Sequence, residues 1–328
     1  MKQEFDRFDM KRPPVRTKWY LRPLTYILSA PDTFIHRTKI SRTGTEGLKP
    51  PYLMLCNHNA FMDFKVATRT IFPHRANYVV AIDGFIGREE LLRNVGCICK
   101  RKFTNDVTLI RHLRQVMRNG DVLVLYPEAR YSLCGTTAVL PGSLGKFCKL
   151  MDVPVVTLIC HGHHVNSPFW NLHDRGVAPT EAEFTLLYSK EELRQAEPSD
   201  INRRIVEAFQ YDDFAWQKER GIRTPYAKRA EGLHKVLYQC PACGKEYRMA
   251  SEGTQLFCRA CGKRWEMSEL GELSAVSGGT KHFHRWLCPS RTNSISNSSA
   301  LPQTLTISGR SSSFISGPPR KSCKSTLR

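Results

Sequence analysis

Four cysteines in the last third of the sequence constrain its fold more than any other feature. They form two CxxCG units, Cys240–Gly244 and Cys258–Gly262, with 14 residues between the pairs. Each unit can direct two sulfurs at one ion, and the glycine that follows permits the tight turn. The spacing predicts a zinc ribbon over residues 236–272, with one structural Zn²⁺ held by Cys240, Cys243, Cys258 and Cys261. Two disulfides or a redox pair are the competing interpretations.

The overall composition limits the class of protein and its partners. Twelve cysteines in 328 residues are too sparse for a disulfide scaffold, so we expect a reducing compartment. Lysine and arginine outnumber aspartate and glutamate by 49 to 30, which favours anionic lipid, phosphorylated substrates or nucleic acid as partners. The charges of the predicted ribbon are balanced, and this argues against nucleic acid.

The sequence contains no segment that resembles a membrane span or a secretory signal. Its first residues are charged and no apolar core follows them. The longest uncharged stretches are broken by Pro, Gly and His and fall short of the roughly 18 apolar residues that a spanning helix needs. We therefore expect no transmembrane helix.

Between residues 46 and 225, short apolar runs alternate with segments of helical periodicity, which is typical of an α/β sheet. Two helices are predicted: Val107–Arg118, with Asp106 as its cap, and a second over Asp200–Trp216. The predicted strands are Tyr52–Cys56, Tyr78–Ala81, Cys97–Lys100, Val122–Tyr126, Pro154–Cys160 and Glu183–Ser189.

The two ends of the sequence differ from this central part. Residues 1–45 mix aromatic and basic side chains around Trp19 and Tyr20, which suits either a helix lying in a membrane interface or a helix packed on the core. Residues 273–328 contain no acidic residue and are rich in serine. We predict that this tail is disordered.

The segment Asn57–Asp63 directly follows a predicted strand and carries a histidine and a carboxylate five residues apart. Such a pair can meet if His58 lies in the turn and Asp63 in the first turn of the next helix. Asp63 would then hold one imidazole nitrogen and leave the other free to take a proton from a hydroxyl. A helix cap beside a partly buried histidine is the alternative interpretation.

From residue 19 to about residue 215 the chain resembles the glycerolipid acyltransferases, a family that includes 1-acylglycerol-3-phosphate acyltransferases. The first motif of that family is Asn-His, four further residues and Asp. Three more blocks resemble family motifs in the expected order: Gly96–Arg101, Tyr126–Ser132 and Val153–Val156. The resemblance implies a mixed sheet flanked by helices.

The same resemblance implies a function and a set of site residues. It implies O-acyl transfer from acyl-CoA or acyl carrier protein to a 1-acylglycerol-3-phosphate-like acceptor at the cytoplasmic face of a membrane, with the protein bound peripherally. His58 would be the general base, Asp63 its partner, and no catalytic metal is required. The residues expected to bind the phosphate and glycerol groups are Arg101, Lys100, Glu128 and Arg130.

One motif departs from the family pattern. The third block reads Glu128-Ala129-Arg130 where the family usually has Glu-Gly-Thr-Arg, so Arg130 stands one position closer to Glu128. Ala129 also lacks the conformational freedom of glycine. The assignment of Arg130 is accordingly weaker than that of Glu128.

Other functions fit parts of the sequence. The acceptor could instead be glycerol 3-phosphate or another lysophospholipid. A different class is a basic, zinc-containing nucleic-acid-binding protein with an inactive acyltransferase-like domain. The cluster His161–His164 follows the predicted strand Pro154–Cys160, and we interpret its histidines as surface or substrate-cleft groups and not as a metal site.

Overall fold

A seven-stranded sheet organises most of the chain in the computed structural model, with strand order β1-β7-β6-β2-β5-β3-β4. Neighbouring strands from β6 to β4 are parallel, β7 is antiparallel to β6, and β1 is parallel to β7. The sheet is therefore mixed, as predicted. Its strands are β1 (Lys39–Thr43), β2 (Leu53–Cys56), β3 (Ala76–Ala81), β4 (Cys97–Lys100), β5 (Val122–Leu125), β6 (Val155–His161) and β7 (Glu181–Tyr188).

The structure describes residues 8–101, 106–173, 175 and 179–276, all of which lie in a unit formed by residues 1–291. The prediction of a disordered tail falls outside the described residues from residue 277 onwards. Strand β1 lies inside the predicted leader, so the sheet begins before residue 46. The sequence did not indicate β1 because four of its five side chains are exposed and produce no apolar alternation.

Helices connect the strands and cover both faces of the sheet. They are α1 (Leu21–Ile35), α2 (Met62–Ile71), α3 (Ile82–Phe85), α4 (Glu89–Asn94), α5 (Val107–Arg118), α6 (Leu144–Met151), α7 (His163–Asn166), α8 (Lys190–Gln195), α9 (Pro198–Ala208) and α10 (Asp213–Glu219). Helix α5 has the predicted bounds, and the Asp106 carboxylate accepts a hydrogen bond from the Leu109 amide. No helix among the described residues is both long and apolar enough to cross a bilayer.

The single helix predicted over Asp200–Trp216 is wrong, because the structure has two helices there. The chain turns at Phe209, which is fully buried, and Asp212 caps the new helix α10 by accepting from the Ala215 amide. A side chain that competes for backbone amides in this way favours a helix start over a helix interior.

Strand β2 lies at the centre of the sheet and contributes to the core on both sides. Leu53 and Leu55 pack with α5, α6 and α9 on one face, whereas Met54 and Cys56 pack with α2 and α3 on the other. The alternation follows the two-residue period of a strand. Fully burying a leucine contributes roughly 1.5–3 kcal/mol, so β2 is held firmly and the loop after it starts from a fixed point.

A second, four-stranded antiparallel sheet contains the paired cysteines. Its strands are β8 (Met249–Glu252), β9 (Gln255–Cys258), β10 (Arg264–Met267) and β11 (Leu273–Ala275), in the order β11-β10-β9-β8. It therefore extends three residues beyond the predicted end at residue 272. Its apolar face packs on Trp170 and Phe214, and the Thr224 amide donates to the Glu269 carbonyl at 2.9 Å. The second sheet therefore packs against α10 and the segment after α7.

Helix α1 packs on a neighbouring helix and also exposes apolar side chains. Sequence analysis left two interpretations for this region, a helix packed on the core and a helix in a membrane interface. It packs along α2, and Asp32 on α1 forms an ion pair with Lys65 on α2. Pro23 falls in the first turn of α1, where a missing amide costs little. Seven large apolar side chains on and beside the helix are nevertheless exposed: Trp19, Tyr20, Leu24, Ile27, Leu28, Phe34 and Ile35.

Candidate active site

Three loops meet where the parallel strands β5, β2 and β6 end side by side. The loop after β2 carries His58, the loop after β5 carries Glu128, and β6 ends at His161. Carboxyl ends of parallel strands lie at the same edge of a sheet, and ligands of α/β proteins bind at such an edge. The strand order thus gathers residues that are distant in sequence.

His58 and Asp63 form a hydrogen-bonded pair at this edge. Nδ1 of His58 lies 3.2 Å from Oδ2 of Asp63, with His58 in the loop and Asp63 in the first turn of α2. The same oxygen accepts from the backbone amides of Asn59 at 2.6 Å and Ala60 at 2.9 Å. The imidazole keeps 23% of its side-chain surface exposed while Asp63 has none, so only the histidine can be reached from solvent.

The Asp63 carboxyl is held in its ionised form. Burial by itself would raise its pKa, but hydrogen bonds from His163 and His58 outweigh that effect and lower the pKa to about 2. A carboxylate can only accept hydrogen bonds. Nδ1 of His58 therefore donates to Asp63, and in the neutral ring the lone pair is on Nε2.

Two tyrosines enclose the His58 ring. The ring centroids of Tyr126 and Tyr131 lie 4.2 and 4.3 Å from that of the imidazole. Both residues belong to the third sequence block, but sequence analysis did not place them against His58. Because both rings lie against the imidazole, they limit the positions from which an acceptor hydroxyl can approach.

His163 also contacts the Asp63 carboxylate. Its Nδ1 lies 2.5 Å from Oδ1 of Asp63, and both side chains are fully buried. The interpretation of the histidine cluster as surface or cleft groups is wrong for His163 and His164, which are both 0% exposed. The reason is topological: β6 pairs with β2, so the residue after β6 meets a carboxylate that is 100 residues away in sequence.

Cys160 completes a buried cluster with these two residues. Ligand atoms of Asp63, Cys160 and His163 lie within 4.8 Å of one another. His163 already contacts the carboxylate, and burial raises the pKa of the Cys160 thiol well above its usual value. Because Nδ1 of His163 contacts Oδ1 of Asp63, we interpret the cluster as a buried support for the Asp63 carboxylate.

Glu128 is buried and faces a tyrosine. Its carboxyl oxygens lie 3.2 and 3.3 Å from the Tyr211 hydroxyl, which is itself 3.1 Å from Oδ1 of Asn59. Burial raises the pKa of Glu128 to about 8, so the group is largely protonated at neutral pH. Arg130 is exposed and, among the described residues, forms no ion pair with Glu128.

Ala129 adopts the backbone conformation that the family's glycine would favour. Its φ angle is +55°, in the left-handed region that costs a residue with a Cβ atom of the order of 1 kcal/mol or more. The departure from the family motif is therefore accommodated by local strain. The loop keeps the turn that places Glu128 inward and Arg130 outward.

The pKa of Glu128 leads to a prediction for stability. An unfolded glutamate titrates near ~4.3, so a folded pKa of about 8 means that this group's contribution to stability declines as pH rises from about 4.3 to 8. We expect Glu128→Gln to remove that decline, which amounts to a few kcal/mol by order of magnitude. Chemical denaturation at pH 5 and pH 8 measures the difference.

Glu207→Gln is the matched control, because the Glu207 side chain is 62% exposed. It should leave the pH dependence of stability unchanged. Burial also raises the pKa of Asp213 to about 8. Because Asp213 is unchanged in both variants, part of the decline in stability with rising pH should remain in each. An unaltered pH dependence in Glu128→Gln would show that Glu128 is ionised in the folded protein.

Lys100 and Arg101 lie at the same sheet edge but farther along it. Lys100 is the last residue of β4 and Arg101 follows it. Strands β3 and β5 lie between β4 and β2. Three strand spacings correspond to roughly 14 Å. Lys100 is partly exposed and Arg101 exposed, so these cations flank the His58 loop at a distance and do not form its immediate surroundings.

The four paired cysteines cluster in the second sheet. Sγ of Cys240 lies 3.7 Å from that of Cys261, and Sγ of Cys243 lies 3.8 Å from that of Cys258. All four are free thiols. A tetrahedron with metal–sulfur distances of about 2.3 Å has edges of about 3.8 Å, so the cluster has the dimensions of a metal site and not of two disulfides.

The two knuckles repeat one backbone design. Gly244 and Gly262 both have a φ of +72°, and their amides donate to the carbonyls of Cys240 and Cys258 at 2.8 and 2.9 Å. At Cys258, burial would raise the pKa of the thiol, but the amides of Cys261 and Ala260 help to lower it to about 7. The backbone thereby favours thiolate at this position, the form that binds metal.

Comparison with known proteins finds a family match for part of the chain. The family model described as Acyltransferase matches residues 34–161. The matched region runs from the last residues of α1 to the end of β6, so it contains His58, Asp63 and Glu128. His163 lies two residues beyond it.

Two further comparisons complete the findings. The crystal structure of the 1-acyl-sn-glycerophosphate (LPA) acyltransferase PlsC from Thermotoga maritima is similar to this chain with a TM-score of 0.41 and 16% identity, over 58% of this chain and 80% of that one. No curated protein shows a significant sequence match.

Proposed function

We propose that the chain is an O-acyltransferase that moves a fatty acyl group from an acyl thioester to the free hydroxyl of a 1-acylglycerol-3-phosphate-like acceptor, with His58 as general base. The observation that carries the proposal is the partly exposed imidazole held by an ionised, buried carboxylate, inside the region that the Acyltransferase family model matches. Asp63 supplies orientation and charge compensation.

The proposed reaction follows from the tautomer of His58. Nε2 removes the proton from the acceptor hydroxyl as its oxygen attacks the thioester carbonyl. Asp63 stabilises the imidazolium that forms. When the tetrahedral intermediate collapses, the carbon–sulfur bond breaks, and the leaving thiolate takes the proton from His58. The products are the acylated acceptor and a free thiol, and the base is restored.

The acceptor class follows from the charges along the sheet edge. Arg101, with Lys100 beside it, and Arg130 are cations at this edge, and they could bind a phosphate that projects away from the reacting hydroxyl. Glu128 is protonated and bonded to Tyr211, so its proposed role is a hydrogen bond to a glycerol hydroxyl and not the fixing of an arginine.

We further propose that α1 lies on a membrane surface, which would deliver a lipid acceptor to His58. The exposed apolar residues of α1 and its flank adjoin α2, the helix that starts beside the His58 loop. Phe61, in that loop, is also 62% exposed. The proposed location is the cytoplasmic face, where acyl-CoA or acyl carrier protein is available as donor and cysteines stay reduced.

The membrane proposal predicts a binding defect. Replacing Ile27 and Leu28, which are 62% and 66% exposed, by serine should lower partition onto anionic phospholipid vesicles about tenfold or more, since each buried apolar side chain contributes roughly 1.5 kcal/mol or more. Vesicle co-sedimentation measures it. The control is Leu150→Ser on α6, on the opposite face of the sheet, where Leu150 is 45% exposed. Equal binding by both variants would contradict a membrane role for α1.

We also propose that the four clustered cysteines bind one Zn²⁺ and that residues 236–275 are a zinc ribbon. All four ligands come from the protein, so no coordination position is open to a substrate and the role of the metal is structural. A ligand set of four thiolates selects zinc over harder cations.

A substrate panel tests the proposed function. Purified protein is incubated with labelled acyl-CoA or acyl carrier protein and with lysophosphatidic acid, glycerol 3-phosphate or uncharged lysophospholipids. The expected result is a labelled product with lysophosphatidic acid. If only glycerol 3-phosphate or only another lysophospholipid were acylated, that compound would replace lysophosphatidic acid as the assigned acceptor. Transfer to no acceptor would overturn the proposal.

A further inference from the structure

The Asp63 carboxylate has two imidazole partners and divides its oxygens between them. Oδ2 faces Nδ1 of His58 at 3.2 Å and two backbone amides. Oδ1 faces Nδ1 of His163 at 2.5 Å. Each oxygen thus has its own set of donors, and the contacts on both sides fix the rotation of the carboxylate about its last bond.

The contacts of His163 identify the ring nitrogen that donates to Asp63. Asp63 can only accept, so Nδ1 of His163 donates to it. Nε2 of His163 is buried and, among the described residues, has no hydrogen-bond partner. A proton on Nε2 would be a buried donor without an acceptor, so the hydrogen bonds fit the Nδ1–H tautomer best.

We propose that His163 is a positioning residue for acyl transfer: it holds Oδ1 of Asp63 so that Oδ2 keeps the His58 ring in its Nδ1–H tautomer, with Nε2 directed at the acceptor. This inference rests on the proposed function of His58. His163 would be a third member of the site, contributed by the start of α7, beside a pair that is five residues apart in sequence.

The consequence of losing this contact follows from geometry. Without His163, Oδ1 becomes a buried carboxylate oxygen with no donor, and the carboxylate can rotate or take up a proton. The His58 ring then loses its fixed tautomer and orientation. A misplacement of about 1 Å in a catalytic group costs about a hundredfold in rate. His163 itself does not touch the substrate in this proposal.

Two substitutions at position 163 and one at position 164 test the role. His163→Leu removes the donor, whereas His163→Asn keeps a side-chain N–H close to the position of Nδ1. His164→Leu is the matched control, because His164 is equally buried but packs on Trp170 and Phe214 and neither of its ring nitrogens has a hydrogen-bond partner among the described residues.

The kinetic expectations are specific. His163→Leu should lower kcat about 10- to 100-fold with KM for the acyl thioester changed by less than about twofold. His163→Asn should recover most of the lost kcat. His164→Leu should keep its kcat even if its melting temperature falls as far as that of His163→Leu. Wild-type kcat in His163→Leu, equal losses in both position-163 variants, or an equal loss in His164→Leu would each overturn the inference.

An NMR measurement separates this inference from the proposed function. In protein labelled with ¹⁵N-histidine, the His58 nitrogens should report the Nδ1–H tautomer in wild type and in His163→Asn, and a mixture of tautomers in His163→Leu. This result does not depend on which acceptor is the substrate. An unchanged His58 tautomer in His163→Leu, or a mixture in His163→Asn, would contradict the role even if His58 proves essential. If His163→Leu does not fold, the asparagine variant alone decides.

Discussion

In His58→Ala we expect acyl transfer to be lost while the protein stays folded. The imidazole is the partly exposed member of the His58–Asp63 pair, and a positioned general base typically contributes about 10²–10⁴ in rate. We expect kcat to fall by at least this factor. The side chain is not part of either core cluster of the main sheet, so the melting temperature should change little. Steady-state acyl transfer and thermal denaturation measure the two effects.

His173→Ala provides the comparison for this variant, since His173 is an exposed histidine outside the site. It should transfer acyl groups at the wild-type rate. A folded His58→Ala protein with undiminished activity would remove the basis for assigning the general base. It would also leave the aromatic enclosure by Tyr126 and Tyr131 without a catalytic explanation.

Removal of metal should unfold the second sheet. Its core is small and includes Leu256, Trp265 and Leu273, which join Trp170 and Phe214 of the main domain. Structural zinc contributes of the order of 10–16 kcal/mol of apparent binding free energy in small zinc modules, far more than such a core supplies. Chelation, or Cys258→Ser, should therefore expose Trp170 and Trp265 and shift their fluorescence to longer wavelength.

A cysteine outside the cluster gives the control. Cys148 is fully buried on α6, and Cys148→Ala should lose some stability but keep one zinc per chain by elemental analysis. Zinc content should fall to zero in Cys258→Ser. Identical melting curves with and without a chelator, or disulfides detected by mass spectrometry in the native protein, would contradict the metal assignment.

The parts of the fold that sequence analysis predicted are those with local signals. Helix α5 has an apolar repeat of helical period and a capping aspartate, and both act within a few residues. The cysteine knuckles are likewise local, because the glycine and the two sulfurs lie within five positions. Strand β1 was missed because its exposed side chains give no apolar alternation and its position depends on pairing with the distant β7. The break between α9 and α10 lies at the Asp212 cap, where Asp212 also pairs with the distant Thr136.

The same distinction holds for the site. His58 and Asp63 are five residues apart, and one turn brings them together. His163 and Tyr211 lie 100 and 83 residues from the groups they contact, Asp63 and Glu128. One signal was available for His163: a histidine directly after a buried strand in a sheet whose other strand ends carry polar groups. Only the strand order shows that β6 is the neighbour of β2.

The position of β2 between β5 and β6 also affects how the chain acquires its structure during synthesis. Both neighbours are translated after β2, and β6 ends about a hundred residues later. Until then, one or both edges of β2 have no partner, and an unpaired apolar strand is prone to join strands of other molecules. The nascent chain is therefore most vulnerable to aggregation before β6 leaves the ribosome, and chaperone protection matters most in that interval.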